Sequence, residues 1–242
     1  VDFGRVGKTG APRLTVGAVN ARTGEMKYFD SRGPGKLGLD HVLASGALPP
    51  AFPAVRIDGE PYWDGGIYSN TPIEAVLDDN PRRNSLVFAV QLWQPQGDAP
   101  ASMWQVTGRQ KDITYASRVD SHVRRQAQIH RLRHIVRELA KELPPAVARQ
   151  ADIAQMLGYG CGTVMHVVRL LAPRLDGEDH TKDLDFHPSR IRQRWQAGLQ
   201  DARQALARQA WLQPLDPMDG LVIHDLLAGE PDLHATESDR RP

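Results

Sequence analysis

Residues 62–72, YWDGGIYSNTP, place a carboxylate directly after two aromatic residues and directly before two glycines. Aromatic residues favour strands, so Asp64 is predicted to lie at a strand terminus, where α/β enzymes usually place catalytic groups. Gly65 and Gly66 can take positive φ without steric cost, which predicts a sharp turn beneath the carboxylate. The absence of Cβ atoms also leaves that carboxylate open to a substrate. The alternative is a turn aspartate that hydrogen bonds to its own backbone.

Two hairpins and a short helix are predicted upstream of Asp64. Each hairpin pairs β-rich residues across a turn that contains glycine, and the second turn is the strong Asp58-Gly59 signal. The predicted hairpins span residues 14–29 and 53–63. A run of small and apolar residues over 39–48 predicts the helix, which ends at two prolines.

A helix and a strand are predicted downstream. Thr71 and Glu74 have the spacing of a capping box, which predicts a helix from here to about Asp79. Residues 85–93 then form a nearly continuous apolar run, typical of a strand in a sheet that is covered on both faces. The alternation of strands and helices over residues 1–94 therefore indicates part of an α/β sandwich.

The remaining residues predict a mainly helical extension over 95–228 and a disordered tail over 229–242. Apolar residues at spacings of three and four, from Val119 to Leu143, predict one long amphipathic helix. The other predicted elements of the extension are helices over 146–157 and 189–210 and a strand over 163–170.

The composition excludes several function classes. A net charge of +1 gives no global attraction to nucleic acid, and no apolar run is long enough for a transmembrane helix. One cysteine, Cys161, fits a reducing compartment, so a cytoplasmic location is expected. The chain begins at Val1 rather than Met, which predicts that it is a piece of a longer protein.

Several residues outside the opening stretch were weighed as functional candidates. His130 and His134 stand four residues apart, as metal ligands can, but no third ligand is near in sequence. They are therefore assigned to a solvated basic face of the long predicted helix. Cys161 is interpreted as a small buried residue. His187, His224 and Asp225 have no triad spacing and are interpreted as structural.

The run over residues 44–72, ASGALPPAFPAVRIDGEPYWDGGIYSNTP, closely resembles the segment around the catalytic aspartate of patatin-like acyl hydrolases. In that family a D-G-G or D-G-A motif supplies the aspartate of a Ser-Asp dyad, and S-N-x-P follows it. The resemblance implies that Asp64 is the dyad aspartate and that Gly65 and Gly66 support its loop. Asn70 would hold the loop by side-chain hydrogen bonds; the alternative is a place in the helix-capping turn.

The resemblance extends over nearly the whole chain, to a bacterial subgroup that carries an extra C-terminal helical region. Its further segments are residues 19–25, 28–30, 109–118, 182–186 and 194–198. The resemblance implies that the intact protein hydrolyses carboxyl esters of fatty acids, in phospholipids or lysophospholipids, without metal or cofactor. The basic face of the long helix has two interpretations. It is a solvated face or, given a lipid substrate, a face that docks on an anionic membrane surface at the inner membrane.

One departure from the family pattern concerns the nucleophile. No serine here has the G-x-S-x-G context of the nucleophile elbow, and the glycine-rich oxyanion loop is also absent. Family order places both before the first hairpin, so an N-terminal part is expected to be missing and the chain alone to be inactive. Two alternatives stay open: a non-catalytic lipid-binding or interaction protein that retains the fold, and an esterase on other esters such as hydroxyalkanoate oligomers.

Overall fold

The computed structural model describes residues 6, 8, 10–175, 178, 182 and 185–225, apart from the side chains of residues 117 and 118. It is 41% helical and 18% strand, which confirms the predicted α/β class. Contacts divide the chain into two compact units, residues 1–81 with 114–123 and residues 82–113 with 124–242. The predicted domain limits stay predictions, and the predicted disordered tail lies outside the described residues.

The first unit contains a four-stranded antiparallel sheet in the order β2-β1-β4-β3. Its strands are β1 (Thr15–Asn20), β2 (Met26–Asp30), β3 (Val55–Ile57) and β4 (Glu60–Asp64). Both predicted hairpins are confirmed as the pairs β1–β2 and β3–β4. The hairpins join where β1 pairs with β4, which places Ala18 opposite Asp64.

Two short helices accompany this sheet, α1 (Leu39–Ala44) and α2 (Glu74–Leu77). A small core forms where Ala44 of α1 meets Ala18, Ile57 and Tyr62 of the strands. At the turn between β3 and β4, Asp58 and Gly59 have φ of 51° and 84°. Both values are positive, as the tight turn predicted for this dipeptide requires.

The predicted capping box at α2 is wrong. The N-cap is Ile73, and Thr71 Oγ1 is buried without a hydrogen-bond partner among the described residues. Glu74 does not reach back to the helix start, because its Oε1 accepts a hydrogen bond of 2.8 Å from the Tyr28 hydroxyl of β2. A partner distant in sequence has replaced the local one, and α2 ends at Leu77, before the predicted Asp79.

The second unit contains a parallel sheet in the order β5-β6-β7. Its strands are β5 (Ser85–Gln91), β6 (Met165–Leu171) and β7 (Leu221–Asp225). The first two strands confirm predictions, and the third was missed. The prediction that β5 is covered on both faces is wrong, because its alternate apolar residues are exposed, up to 60% at Val90. As the terminal strand of the described sheet, β5 has a neighbouring strand on one side only.

The other helices are α3 (Met103–Glu142), α4 (Pro145–Ala148), α5 (Ala151–Leu157) and α6 (Pro188–Arg208). The long predicted helix is confirmed but begins earlier, at an N-cap where Ser102 Oγ accepts a hydrogen bond from Gln105 N. It ends before two prolines, as the sequence predicts. No helix in the described part of the chain combines the length and apolar character that crossing a membrane requires.

The assignment of His130 and His134 to a solvated face of α3 is wrong. Their side chains are 0% and 3% exposed. His134 Nδ1 and Nε2 lie 3.1 and 3.0 Å from the carbonyl oxygens of Pro217 and Thr163. The buried imidazole therefore lies between two loop carbonyl oxygens and can donate a hydrogen bond to one of them from a protonated ring nitrogen. Gly220 permits this packing, since a Cβ at that position would lie 2.8 Å from the His134 ring.

Candidate active site

The backbone of Asp64 is fixed from two directions. The residue ends β4 and is the N-cap of the 3₁₀ turn Gly65–Ile67. Its N–H donates a hydrogen bond of 3.0 Å to the carbonyl oxygen of Ala47, in the small-residue segment that follows α1. The strand and this segment together hold the carboxylate at the sheet terminus, where the sequence places it.

The Asp64 carboxylate has one oxygen that is bound and one that is available. Oδ1 accepts a hydrogen bond of 2.7 Å from Gly66 N, and the described residues provide no donor to Oδ2. Burial raises the pKa of Asp64, although the hydrogen bond from Gly66 acts in the opposite direction. A half-buried carboxylate with a free oxygen and a raised pKa has the properties of a general base.

Gly65 is required for space rather than for positive φ. Neither Gly65 nor Gly66 is among the described residues with positive φ, so the predicted sharp turn, the 3₁₀ turn Gly65–Ile67, forms without it. A Cβ on Gly65 would instead lie 2.6 Å from the carbonyl oxygen of Gly17 in β1 and 2.8 Å from Met26 Cε. The turn beneath Asp64 thus rests directly on the backbone of β1. Gly17 is a supporting position that the sequence reasoning missed, although a glycine inside a strand signals close backbone approach.

We expect Gly65→Ala to lower the free energy of unfolding by about 1–3 kcal/mol, because the added methyl group meets the β1 backbone, which cannot move aside. Urea denaturation of the full chain measures this loss. Gly46→Ala is the matched control, since nothing lies within 4 Å of a Cβ there. Equal stability of the two variants would contradict the close contact.

Gly66 leaves room for two polar side chains. A Cβ at this position would lie 3.1 Å from both Asp64 Oδ1 and Asn70 Oδ1. The Asn70 amide oxygen is therefore close to the loop that holds the carboxylate. Its role as a residue that holds the loop by hydrogen bonds stays a prediction.

A second polar group that the sequence reasoning missed lies in the same unit. The Tyr28 hydroxyl donates to Glu74 Oε1, and His122 Nδ1 lies 3.7 Å from Glu74 Oε2. Burial, together with the neighbouring carboxylate, raises the pKa of Tyr28 well above its usual range. Tyr28 also borders Gly17, where a Cβ would lie 3.2 Å from its ring. This group ties α2 to the strand pair beneath the Asp64 turn.

The remaining candidates belong to the second unit. His224 Nε2 lies 3.0 Å from His166 Nδ1, and burial lowers the pKa of both imidazoles. Asp225 forms an ion pair with Arg169. Cys161 is partly buried, with Sγ 2.9 Å from Thr163 Oγ1. Within the described ranges, no group of three or more His, Cys, Asp or Glu side chains is placed to hold a metal ion.

Two family models match the chain. A model described as Patatin-like phospholipase matches residues 9–77, which include Asp64 and its loop. A model described as Patatin phospholipase matches residues 113–218. No curated protein was found to match. Proteins of these families are hydrolases that act on ester bonds. With both matches in the order that the resemblance predicts, the chain belongs to the patatin-like phospholipase family.

Proposed function

We propose that Asp64 is the general base of a Ser-Asp dyad in a lipid acyl hydrolase whose nucleophilic serine lies outside these 242 residues. The observation that carries this proposal is the Asp64 carboxylate, with Oδ1 held by Gly66 N and Oδ2 without a donor among the described residues. The substrates are carboxyl esters of phospholipids or lysophospholipids, a choice supported by the family.

The reaction follows from the free Oδ2. The serine hydroxyl attacks the ester carbonyl while Asp64 takes its proton, and the proton then passes to the departing alcohol. This leaves an acyl-enzyme. A water molecule gives its proton to Asp64 and attacks the acyl carbonyl. Asp64 then returns the proton to the departing serine oxygen, which releases the fatty acid and restores both residues. Backbone N–H groups of a glycine-rich loop, also outside these residues, would stabilise the oxyanion by about 3–4 kcal/mol per donor.

The serines that lie near Asp64 in the sequence lack the features of a nucleophile, which supports a nucleophilic serine outside these residues. The Ser45 hydroxyl, at the C-cap of α1, donates to the carbonyl oxygen of Val42 at 2.8 Å. Ser69 is buried, with 4% of its surface exposed. Neither has glycine two residues before it, as the strained nucleophile elbow requires.

We expect the acidic limb of the pH–rate profile of the complete enzyme to lie above the usual range for aspartate. Asp64 must be ionised to accept a proton, and burial raises its pKa. Activity should therefore fall as the pH drops through this raised pKa. The profile of kcat/KM for a short soluble ester, measured from about pH 3 to 8, checks this. A limb at or below about 3.9, the model-peptide value for aspartate, would contradict it.

The test of the proposed function compares two proteins, the 242-residue chain and the product of its gene extended upstream through any G-x-S-x-G sequence. Each is treated with a fluorophosphonate, which reacts covalently with activated serines, and assayed with lysophosphatidylcholine and p-nitrophenyl butyrate. We expect labelling and hydrolysis of both esters only in the extended protein.

The other outcomes separate the alternatives. The proposal would be overturned by an upstream frame without such a serine, or by an extended protein that is neither labelled nor active. Either result would favour a non-catalytic lipid-binding protein. Hydrolysis of p-nitrophenyl butyrate without lysophosphatidylcholine hydrolysis would favour an esterase on non-lipid esters. Labelling of the 242-residue chain itself would show that a serine within it is the nucleophile.

A further inference from the structure

An apolar cavity of about 570 Å³ lies in the second unit, beyond the carboxyl ends of β5 and β6. Residues that follow or end these strands form one wall, and α6 forms the other; they include Val90, Leu92, Leu170, Ala197 and Gly198. The one carboxylate on the α6 side is Asp201, whose pKa burial raises. Cavities of this size hold small organic ligands, and open α/β sheets bind them at this end of the strands.

A polar cavity of about 400 Å³ shares a wall with the apolar one. Trp93, Leu175, Glu178 and Lys182 line both cavities. At this junction Lys182 Nζ lies 4.6 Å from the centre of the Trp93 ring. The two cavities are therefore adjacent, one mainly apolar and one lined by charged side chains, with Trp93 and Lys182 between them.

The polar cavity carries positive charge that its own carboxylates do not neutralise. Four cationic and three acidic side chains line it: Arg109, Lys111, Arg174, Lys182, Asp98, Asp112 and Glu178. Asp112 pairs with Lys182 at 2.9 Å and Arg174 at 3.7 Å, and Glu178 pairs with Arg194. The Asp98 side chain is fully exposed, at 4.0 Å from Arg174, so solvent screens it.

Arg109 is a cation of this lining whose hydrogen-bond acceptors are uncharged. Its guanidinium donates to the carbonyl oxygens of Gln94 at 3.1 Å and Pro95 at 2.7 Å. Carbonyl groups are uncharged, so these bonds position the guanidinium without cancelling its charge. A guanidinium has five N–H donors, and two of them are used here. The remainder suit an anionic group of a ligand, such as a carboxylate.

We propose that these two cavities form one binding site for a long-chain fatty acid, with the hydrocarbon chain in the apolar cavity and the carboxylate beside Arg109. A lysophospholipid also joins one acyl chain to an anionic group, but its head group is larger than a carboxylate. The inference does not depend on a catalytic role of Asp64, because every lining residue belongs to the second unit.

The test is displacement of cis-parinaric acid, a fluorescent fatty acid, from the 242-residue chain. We expect saturable binding and competition by palmitate, about tenfold or more weaker competition by hexadecanol, and none by inorganic phosphate. Absence of saturable binding would overturn the proposal. Equal competition by hexadecanol would overturn the role of the anion. Lysophosphatidylcholine or lysophosphatidic acid binding more tightly than palmitate would overturn the choice of fatty acid.

Gly198→Leu tests the location of the site. Nothing lies within 4 Å of a Cβ on Gly198, and Leu is a better helix former than Gly, so the variant should fill the cavity without loss of stability. We expect palmitate affinity to fall by about tenfold or more. Gln200→Leu is the matched control, since it adds the same side chain at an exposed position of α6 outside the cavity.

Two outcomes would contradict this location, one for the apolar part of the site and one for Arg109. The apolar part of the site would be overturned if Gly198→Leu kept its thermal midpoint and bound palmitate as tightly as the unmodified chain. Arg109→Gln is expected to weaken palmitate binding and leave hexadecanol binding unchanged. Equal weakening of both ligands would show a structural role of Arg109 instead of contact with the carboxylate.

Discussion

Asp64→Asn in the extended, serine-containing protein is expected to lower kcat for lysophosphatidylcholine hydrolysis by about 10⁴-fold, the upper end of what a general base contributes. The amide cannot accept the serine proton, so the nucleophile loses its activation. Folding should be retained, because the oxygen of the asparagine amide can still accept the hydrogen bond that Gly66 N donates to Asp64. Steady-state kinetics and thermal unfolding of the same preparation measure both effects.

The matched control is Asp58→Asn in the same hairpin. Asp58 is exposed and has a φ of 51°, a conformation that asparagine adopts readily. We expect turnover by this variant to equal that of the unmodified enzyme. Near-normal turnover by Asp64→Asn would remove Asp64 from the chemistry, and a loss in both variants would indicate a general effect on the hairpin.

The sequence predicts the place of Asp64 correctly because the signals around it are local. The Asp58-Gly59 turn fixes the β3–β4 register and starts the return strand at Glu60, whereas Asp64 itself pairs with Ala18 of β1. Local patterns of this kind carry their own geometry, since a two-residue turn determines which residues face each other. The same reasoning correctly predicts the β1–β2 hairpin.

The sequence does not predict contacts between distant segments. Gly65 rests on Gly17, and Glu74 binds Tyr28 instead of capping its own helix. Gly17 and Tyr28 both lie on the first hairpin, farther away along the chain than the span of a turn or a helical repeat. A capping box and a long-range hydrogen bond compete for the same carboxylate, and burial beside Tyr28 decides the outcome.

The sequence pattern also fails to predict β7 and the buried face of the second half of α3, for a related reason. Each places polar residues where a periodic pattern expects apolar ones. His224 of β7 lies beside His166 of β6. On α3 the buried stripe continues through His130 and His134, whereas Leu132 is 61% exposed. Hydrophobic periodicity alone therefore assigns the wrong face of the helix.

His134→Leu is expected to lower the free energy of unfolding by about 1–3 kcal/mol, the cost of leaving a carbonyl group without its hydrogen-bond donor. The ring nitrogens of His134 face the carbonyl oxygens of Pro217 and Thr163, and a nitrogen that carries a proton donates to the oxygen it faces. Leucine fills a similar space but donates no hydrogen bond. Urea denaturation of the 242-residue chain, with the slope m fitted freely, measures the loss.

The control for this loss is Gln128→Leu, at an exposed position of the same helix. Surface substitutions of this kind usually change stability by less than about 0.5 kcal/mol. A similar small change in His134→Leu would mean that the carbonyl group finds another donor and that the hydrogen bond from His134 contributes little. A large loss in His134→Leu alone would establish that α3 is held to its loops by a buried histidine, where the sequence pattern favours a solvated one.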